Sequence, residues 1–346
     1  MKIKEKLVKL KPFEPSEAGF KIKMDSNESF LTLPDEVIER ALAEIKASRF
    51  NRYPDPKAVE LRKKFAAYHG IDFETVIAGN GSDELIVLVL STFLEKGDKL
   101  LITEPDFPMY EIYGKFFEYQ IVKYQKEDYA LDADELIELA KREKPDAIVF
   151  SSPCNPTSLA VPKDSARRLV QSVDCLVILD EAYMDFTDKS LIKEAAEFEN
   201  LVILRTMSKA FACASIRLGF AATNKKLADI LMGTKSPYNV SGVVQTIGEA
   251  VLADKEALAE GIELIKQSAA SIYAGLSELK TVAGAAFRPL SPDGNFVCVL
   301  TEQADYIHEY LLKNSISVRN FGKFLRITAS SPSDNATLLA CLRELT

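Results

Sequence analysis

At 346 residues, 47% of them hydrophobic, the chain is long enough for a large core and a second, smaller one. A net charge of -8 with no dense run of Lys or Arg argues against nucleic-acid binding and for small-molecule chemistry. Five cysteines without C-x-x-C spacing read as small buried residues of a reducing, cytoplasmic protein, and two histidines leave metal and serine-triad chemistry poorly supplied.

Residues 1–30 are polar, broken by Pro12, Pro15 and Gly19, and read as an extended arm. The opening Met1 to Lys6 has no apolar segment, and no run of about 18 apolar residues follows, so neither export nor membrane spanning is expected. Helical spacing of Val37, Ile38, Ala41, Leu42 and Ile45 predicts a helix over 35–48, and a second is predicted over 58–68. The stiff turn Asn51-Arg52-Tyr53-Pro54-Asp55-Pro56 lies between them. From Thr75 onward, short apolar runs at 76–78, 99–103, 147–151, 176–179 and 201–204 alternate with amphipathic stretches at 83–94, 109–116 and 163–170. Strands apolar throughout and separated by helices predict an α/β fold with a mostly parallel sheet covered on both faces. After Pro237 come a long helical stretch over 243–279, strands at 296–300, 315–319 and 324–328, and a closing helix at 334–345. The expected division is an arm (1–30), a large domain (31–240) and a small α+β domain (241–346).

In parallel sheets ligands collect at the carboxyl ends of strands. Gly79-Asn80-Gly81-Ser82-Asp83 there is either an anion-binding helix N-terminus or a plain capped turn. In the run Thr103 to Tyr110, Phe107 is a ring for stacking on a flat cofactor or an ordinary core aromatic. Ser152-Pro153-Cys154-Asn155-Pro156 presents Asn155 as a donor or is simply a rigid turn. Asp180-Glu181-Ala182-Tyr183 offers a buried carboxylate able to keep a pyridine nitrogen protonated and a tyrosine for a phenolic oxygen, with a structural cap as the alternative. Thr206-Met207-Ser208-Lys209, with Arg217 eight residues on, sets an amine beside hydroxyls and a guanidinium; this suggests pyridoxal phosphate, although a solvated lysine has the same local sequence.

In this order the segments resemble the class I/II aminotransferases of the fold-type-I pyridoxal-phosphate enzymes, and within them the histidinol-phosphate aminotransferase family. The resemblance rests on Arg52-Tyr53-Pro54-Asp55-Pro56, Gly79 to Leu85, Asp180 to Tyr183, Leu204 to Phe211, Pro237-Tyr238-Asn239 and Leu325-Arg326-Ile327-Thr328, spanning nearly the whole chain. It implies that Lys209 anchors pyridoxal 5'-phosphate as a Schiff base and moves the substrate proton. Asp180 would face the pyridine nitrogen, Asn155 and Tyr183 the phenolic oxygen, and Phe107 the ring. Ser82, Asp83, Thr206, Ser208 and Arg217 would hold the phosphate, joined by Tyr53 from the other subunit of a homodimer. Asn27, Arg319 and Arg326 would meet the substrate, Arg326 at its carboxylate and Arg319 at its phosphate. The implied reaction is transamination between L-histidinol phosphate and 2-oxoglutarate by a ping-pong cycle; an aromatic amino-acid transaminase and a threonine-phosphate-type decarboxylase are the alternatives.

The chain departs from the family pattern at Lys11-Pro12-Phe13, where a tyrosine that can donate to the substrate phosphate is replaced by Phe13. One charge-assisted hydrogen bond fewer is worth roughly 1.5 to 3 kcal/mol. The arm Ser26-Asn27-Glu28-Ser29-Phe30 and Thr157-Ser158 also depart, without removing a cofactor ligand.

Overall fold

The computed structural model describes residues 19–346, so Phe13 and most of the arm lie outside the described residues. Up to residue 223 the strands are, in chain order, β1 (Ile22–Met24), β2 (Val76–Gly79), β3 (Lys99–Glu104), β4 (Gln120–Gln125), β5 (Ala147–Ser151), β6 (Leu176–Asp180), β7 (Leu201–Thr206) and β8 (Gly219–Thr223). The remainder contributes β9 (Thr281–Val282), β10 (Ala285–Ala286), β11 (Arg288–Pro289), β12 (Phe296–Leu300), β13 (Ile316–Asn320) and β14 (Phe324–Thr328).

The predicted apolar runs become five strands of a seven-stranded sheet ordered β2-β8-β7-β6-β5-β3-β4, with β3, β5, β6 and β7 in its interior and β2 at one edge. Every residue of β5 and β7 is buried, as a sheet covered by helices on both faces requires. The pairs β3–β4, β3–β5, β5–β6 and β6–β7 are parallel, while β8 runs antiparallel to both β7 and β2. The C-terminal ends of β2, β3, β5, β6 and β7 therefore share one edge, and the reversed β8 starts at that edge, with Gly219 opposite both Gly79 and Thr206.

The sequence pattern does not predict β4, β8, or the helices Ala133–Glu143 and Lys225–Thr234. Strand β4 closes the sheet with only Tyr124 buried, so it lacks a continuous apolar run. Strand β8, Gly-Phe-Ala-Ala-Thr, is built mostly of small residues with low strand preference.

The second sheet is ordered β1-β13-β14-β12-β11. Part of the arm thus becomes structure: Ile22–Met24 pairs in parallel with Ile316–Val318, and Met24 is fully buried beside Ile272 and Val318. The helix Gly242–Leu252 places Ala250, Val251 and Leu252 in the core of the first sheet, together with Leu258 and Ile265, whereas the second core begins at Ala269. The two cores part within the helix Lys255–Glu278, whose predicted continuity with the preceding helix is broken where the Asp254 carboxylate accepts from Ala257 N at 3.2 Å.

Candidate active site

The shared strand edge faces the β13–β14 hairpin across a cavity of about 320 Å³, lined among others by Ser82, Phe107, Asn155, Asp180, Lys209 and Arg326. At one end the helix Gly81–Phe93 begins beside Arg217. Arg217 donates to Ser208 Oγ at 3.3 Å and pairs with Asp83 at 3.1 Å, and Thr206 Oγ1 donates to Ser208 Oγ at 2.9 Å. Close backbone approach makes this cradle. Gly81 has φ +79°, and a Cβ there would lie 2.7 Å from Arg217 Nη2; a Cβ on Gly219 would lie 2.7 Å from Ser82 N. Asn80 does not cap the helix through its side chain, which donates instead to Asn239 O at 2.8 Å.

At the other end Asp180 is buried at the cavity wall, accepting from Tyr110 Oη at 2.8 Å and from Ala182 N at 3.0 Å. Burial raises its pKa to about 7, against the opposing pull of those two donors. Burial likewise holds the Tyr110 and Tyr183 hydroxyls protonated, well above the usual range for Tyr110. Tyr183 Oη accepts from Asn27 Nδ2 at 2.9 Å, and Asn155 Oδ1 accepts from Arg326 Nη1 at 2.6 Å.

Between these ends Lys209 Nζ donates to Ser26 O at 2.9 Å and lies 5.8 Å from the centre of the Tyr183 ring. Burial, reinforced by Arg326, lowers its pKa to about 8. Arg326 is buried; Nη2 donates to Asp25 O, and Nε has no partner among the described residues. Its antiparallel neighbour Arg319 lines the same cavity.

The cavity gathers every predicted site residue except two. Asn27 sits behind Tyr183, where Thr328 Oγ1 donates to its Oδ1 at 3.1 Å. Tyr53 is 81% exposed, away from the cavity of its own chain, and stacks on Tyr238 with ring centres 4.5 Å apart. Sequence reasoning missed Tyr110, although it lies three residues beyond Phe107 in the same strand-end segment, where its N–H donates to Phe107 O at 3.2 Å.

The donor set fits a flat, phosphate-bearing aldehyde: a glycine-lined cradle with a guanidinium and hydroxyls, a partly neutral amine, and a buried carboxylate waiting for a cation. The arrangement is that of an enzyme doing covalent amine chemistry. Comparison with known proteins agrees, the family described as aminotransferase class I and II matching residues 20–342. The chain is 37% identical over 339 residues to the histidinol-phosphate aminotransferase of Clostridium novyi (strain NT), covering 96% of this chain and 94% of that one. It is also 37% identical to the Clostridium kluyveri protein of the same name, covering 99% and 98%. The crystal structure of the Sinorhizobium meliloti histidinol-phosphate aminotransferase in complex with pyridoxal-5'-phosphate superposes with a TM-score of 0.89 at 22% identity, covering 99% and 97%; at that identity it speaks to the fold. This chain belongs to the class I and II aminotransferases, and it is a pyridoxal-phosphate-dependent enzyme.

Proposed function

We propose that the enzyme transfers the amino group between L-histidinol phosphate and 2-oxoglutarate, giving imidazole acetol phosphate and L-glutamate. The observation that carries this reading is the pairing of Arg319 with Arg326 on β13 and β14, both facing the cavity that holds Lys209. A planar guanidinium matches a carboxylate or a phosphate through two parallel donors. Two of them serve both half-reactions, Arg326 for the carboxylate of glutamate and Arg319 for the phosphate of histidinol phosphate. The names of the Clostridium relatives support the same substrate pair.

In this reading the residues divide the work. Ser82, Thr206, Ser208, Arg217 and the backbone amide of Asp83 bind the cofactor phosphate. Phe107 covers the ring, Asn155 and Tyr183 orient the phenolic oxygen, and Asp180 holds the pyridine nitrogen protonated. Pyridoxal phosphate supplies, when bound, the electron-withdrawing ring that makes the substrate Cα–H acidic. Lys209 provides the covalent attachment and, when substrate displaces it, carries the proton from Cα. Asn27 keeps the Tyr183 hydroxyl oriented. Tyr53, exposed and braced by Tyr238, reaches the phosphate of a second subunit in a homodimer. Five free thiols accord with a cytoplasmic setting.

A substrate screen tests the assignment: purified enzyme with 2-oxoglutarate is offered L-histidinol phosphate, phenylalanine or threonine phosphate, and glutamate and carbon dioxide are both measured. Glutamate formed with the highest kcat/KM from histidinol phosphate supports it. A preference for phenylalanine makes the enzyme an aromatic transaminase, and carbon dioxide from threonine phosphate makes it a decarboxylase.

A further inference from the structure

Beside the cavity lies a buried ion pair to which the reaction above gives no role. Lys126 Nζ is 3.0 Å from Asp106 Oδ2, with the two side chains 0% and 2% exposed. The same ammonium donates to Pro105 O at 3.0 Å and to Cys154 Sγ at 3.1 Å. Asp106 accepts from Thr103 Oγ1 at 2.6 Å, Phe107 N at 2.8 Å, Ser151 N at 3.2 Å and Ser151 Oγ. Ser151 Oγ in turn accepts from Asn155 N at 3.2 Å. One carboxylate therefore joins the end of β3 to the end of β5, and the two loops it joins carry Phe107 and Asn155.

Stability alone accounts poorly for such a pair, because desolvating two charges offsets most of their attraction and apolar replacements are often neutral. What the pair adds is geometry. Burial pulls the Lys126 pKa down, but Asp106 and Cys154 outweigh it, so the lysine stays charged and its three donors stay directed. Asp106 spends both oxygens on groups from two strand ends, which fixes the separation of the loops. We propose that Asp106 and Lys126 are positioning residues for the cofactor, holding Phe107 against the ring face and Asn155 at the phenolic oxygen. The inference rests on the roles given above to Phe107 and Asn155.

The test measures three quantities on each variant: the dissociation constant for pyridoxal phosphate titrated into apoprotein, the position and pH midpoint of the visible band of the loaded enzyme, and the melting temperature of the apoprotein. Thr103→Val, close in shape, removes one donor to Asp106 and should loosen the cofactor roughly tenfold. Lys126→Met should loosen it roughly 10- to 100-fold and shift the band's midpoint, as expected when a buried charge loses its partner. Leu338→Ala, in the second core, should lower melting and leave both cofactor readouts alone. The proposal is overturned if Thr103→Val and Lys126→Met only lower melting, as Leu338→Ala does. Should Lys126→Met fail to fold, Thr103→Val decides. Phe107→Ala and Asn155→Ala run alongside. If they leave the dissociation constant unchanged, the site assignment fails and the proposal with it; if they raise it while the two test variants do not, the positioning role alone fails.

Discussion

The Tyr110 hydroxyl donates to the Asp180 carboxylate across 2.8 Å, with both residues buried at the wall of the cavity. This bond favours the ionised form of a carboxylate that burial alone would protonate. Tyr110→Phe removes it and leaves the ring in place. A hydrogen bond to a charged group is worth about 1.5 to 3 kcal/mol, so kcat and cofactor affinity should each fall roughly 10- to 100-fold. The KM for glutamate, whose carboxylate the proposed function gives to Arg326, should hold. Steady-state kinetics with a cofactor titration checks this, and unchanged values would refute it.

Asp180 also ties apoprotein stability to pH. Its pKa rises from 3.8 to about 7 on folding, so the folded state binds the proton more tightly than the unfolded one. The resulting stabilisation is complete below about pH 3.8 and is lost as pH climbs through about 7. At 1.36 kcal/mol per pKa unit the ceiling is about 4 kcal/mol. Asp180→Asn cannot ionise, so its apoprotein should gain in melting temperature over the parent progressively from pH 5 to pH 8. A difference that stays flat across that range sinks the argument.

Lys209 shifts in the opposite direction. A pKa near 8 leaves roughly a tenth of the amine neutral at pH 7 and most of it neutral at pH 9. The rate at which apoprotein attaches the cofactor, followed by stopped-flow absorbance, should rise with pH and level off with a midpoint near 8. Arg326→Gln removes one cause of the depression and should move the midpoint upward. Lys209→Ala should lose both covalent attachment and turnover. A midpoint near 10 in the parent would show that the amine is not shifted.

Tyr53 makes a separate prediction about assembly. Tyr53→Phe keeps the ring that stacks on Tyr238 and removes only the hydroxyl. Light scattering should report a dimer for parent and variant alike, while the variant's cofactor dissociation constant rises by roughly tenfold for one lost charge-assisted bond. A monomeric parent would rule out the shared site.

The interior of the first sheet was readable because β3, β5, β6 and β7 carry unbroken apolar runs, and their ends put Phe107, Asn155, Asp180 and Thr206 on one edge. Strand β8 was not readable, since Gly219 permits a close approach that is visible only once Ser82 and Arg205 lie against it, and Ala221 and Ala222 lend the strand no apolar run of large side chains. The position of Met24 depends on pairing with a strand nearly 300 residues away, which local periodicity does not encode. Tyr110 and Lys126 went unassigned because a buried tyrosine and a lysine after an edge strand look ordinary until Asp180 and Asp106 are placed against them.

The antiparallel entry of β8 sends the chain back along β7 almost at once, with Met207 N bonded to Leu218 O at 2.9 Å. Amine and guanidinium thus hang from a single hairpin connection, clamped at its neck. A one-residue slip of β8 would carry Arg217 out of the cradle and pull on the segment bearing Lys209 in the same movement. With the roles proposed for Lys209 and Arg217, covalent attachment and phosphate recognition are mechanically geared together, so a change to the connection that spoils one should be seen in the other.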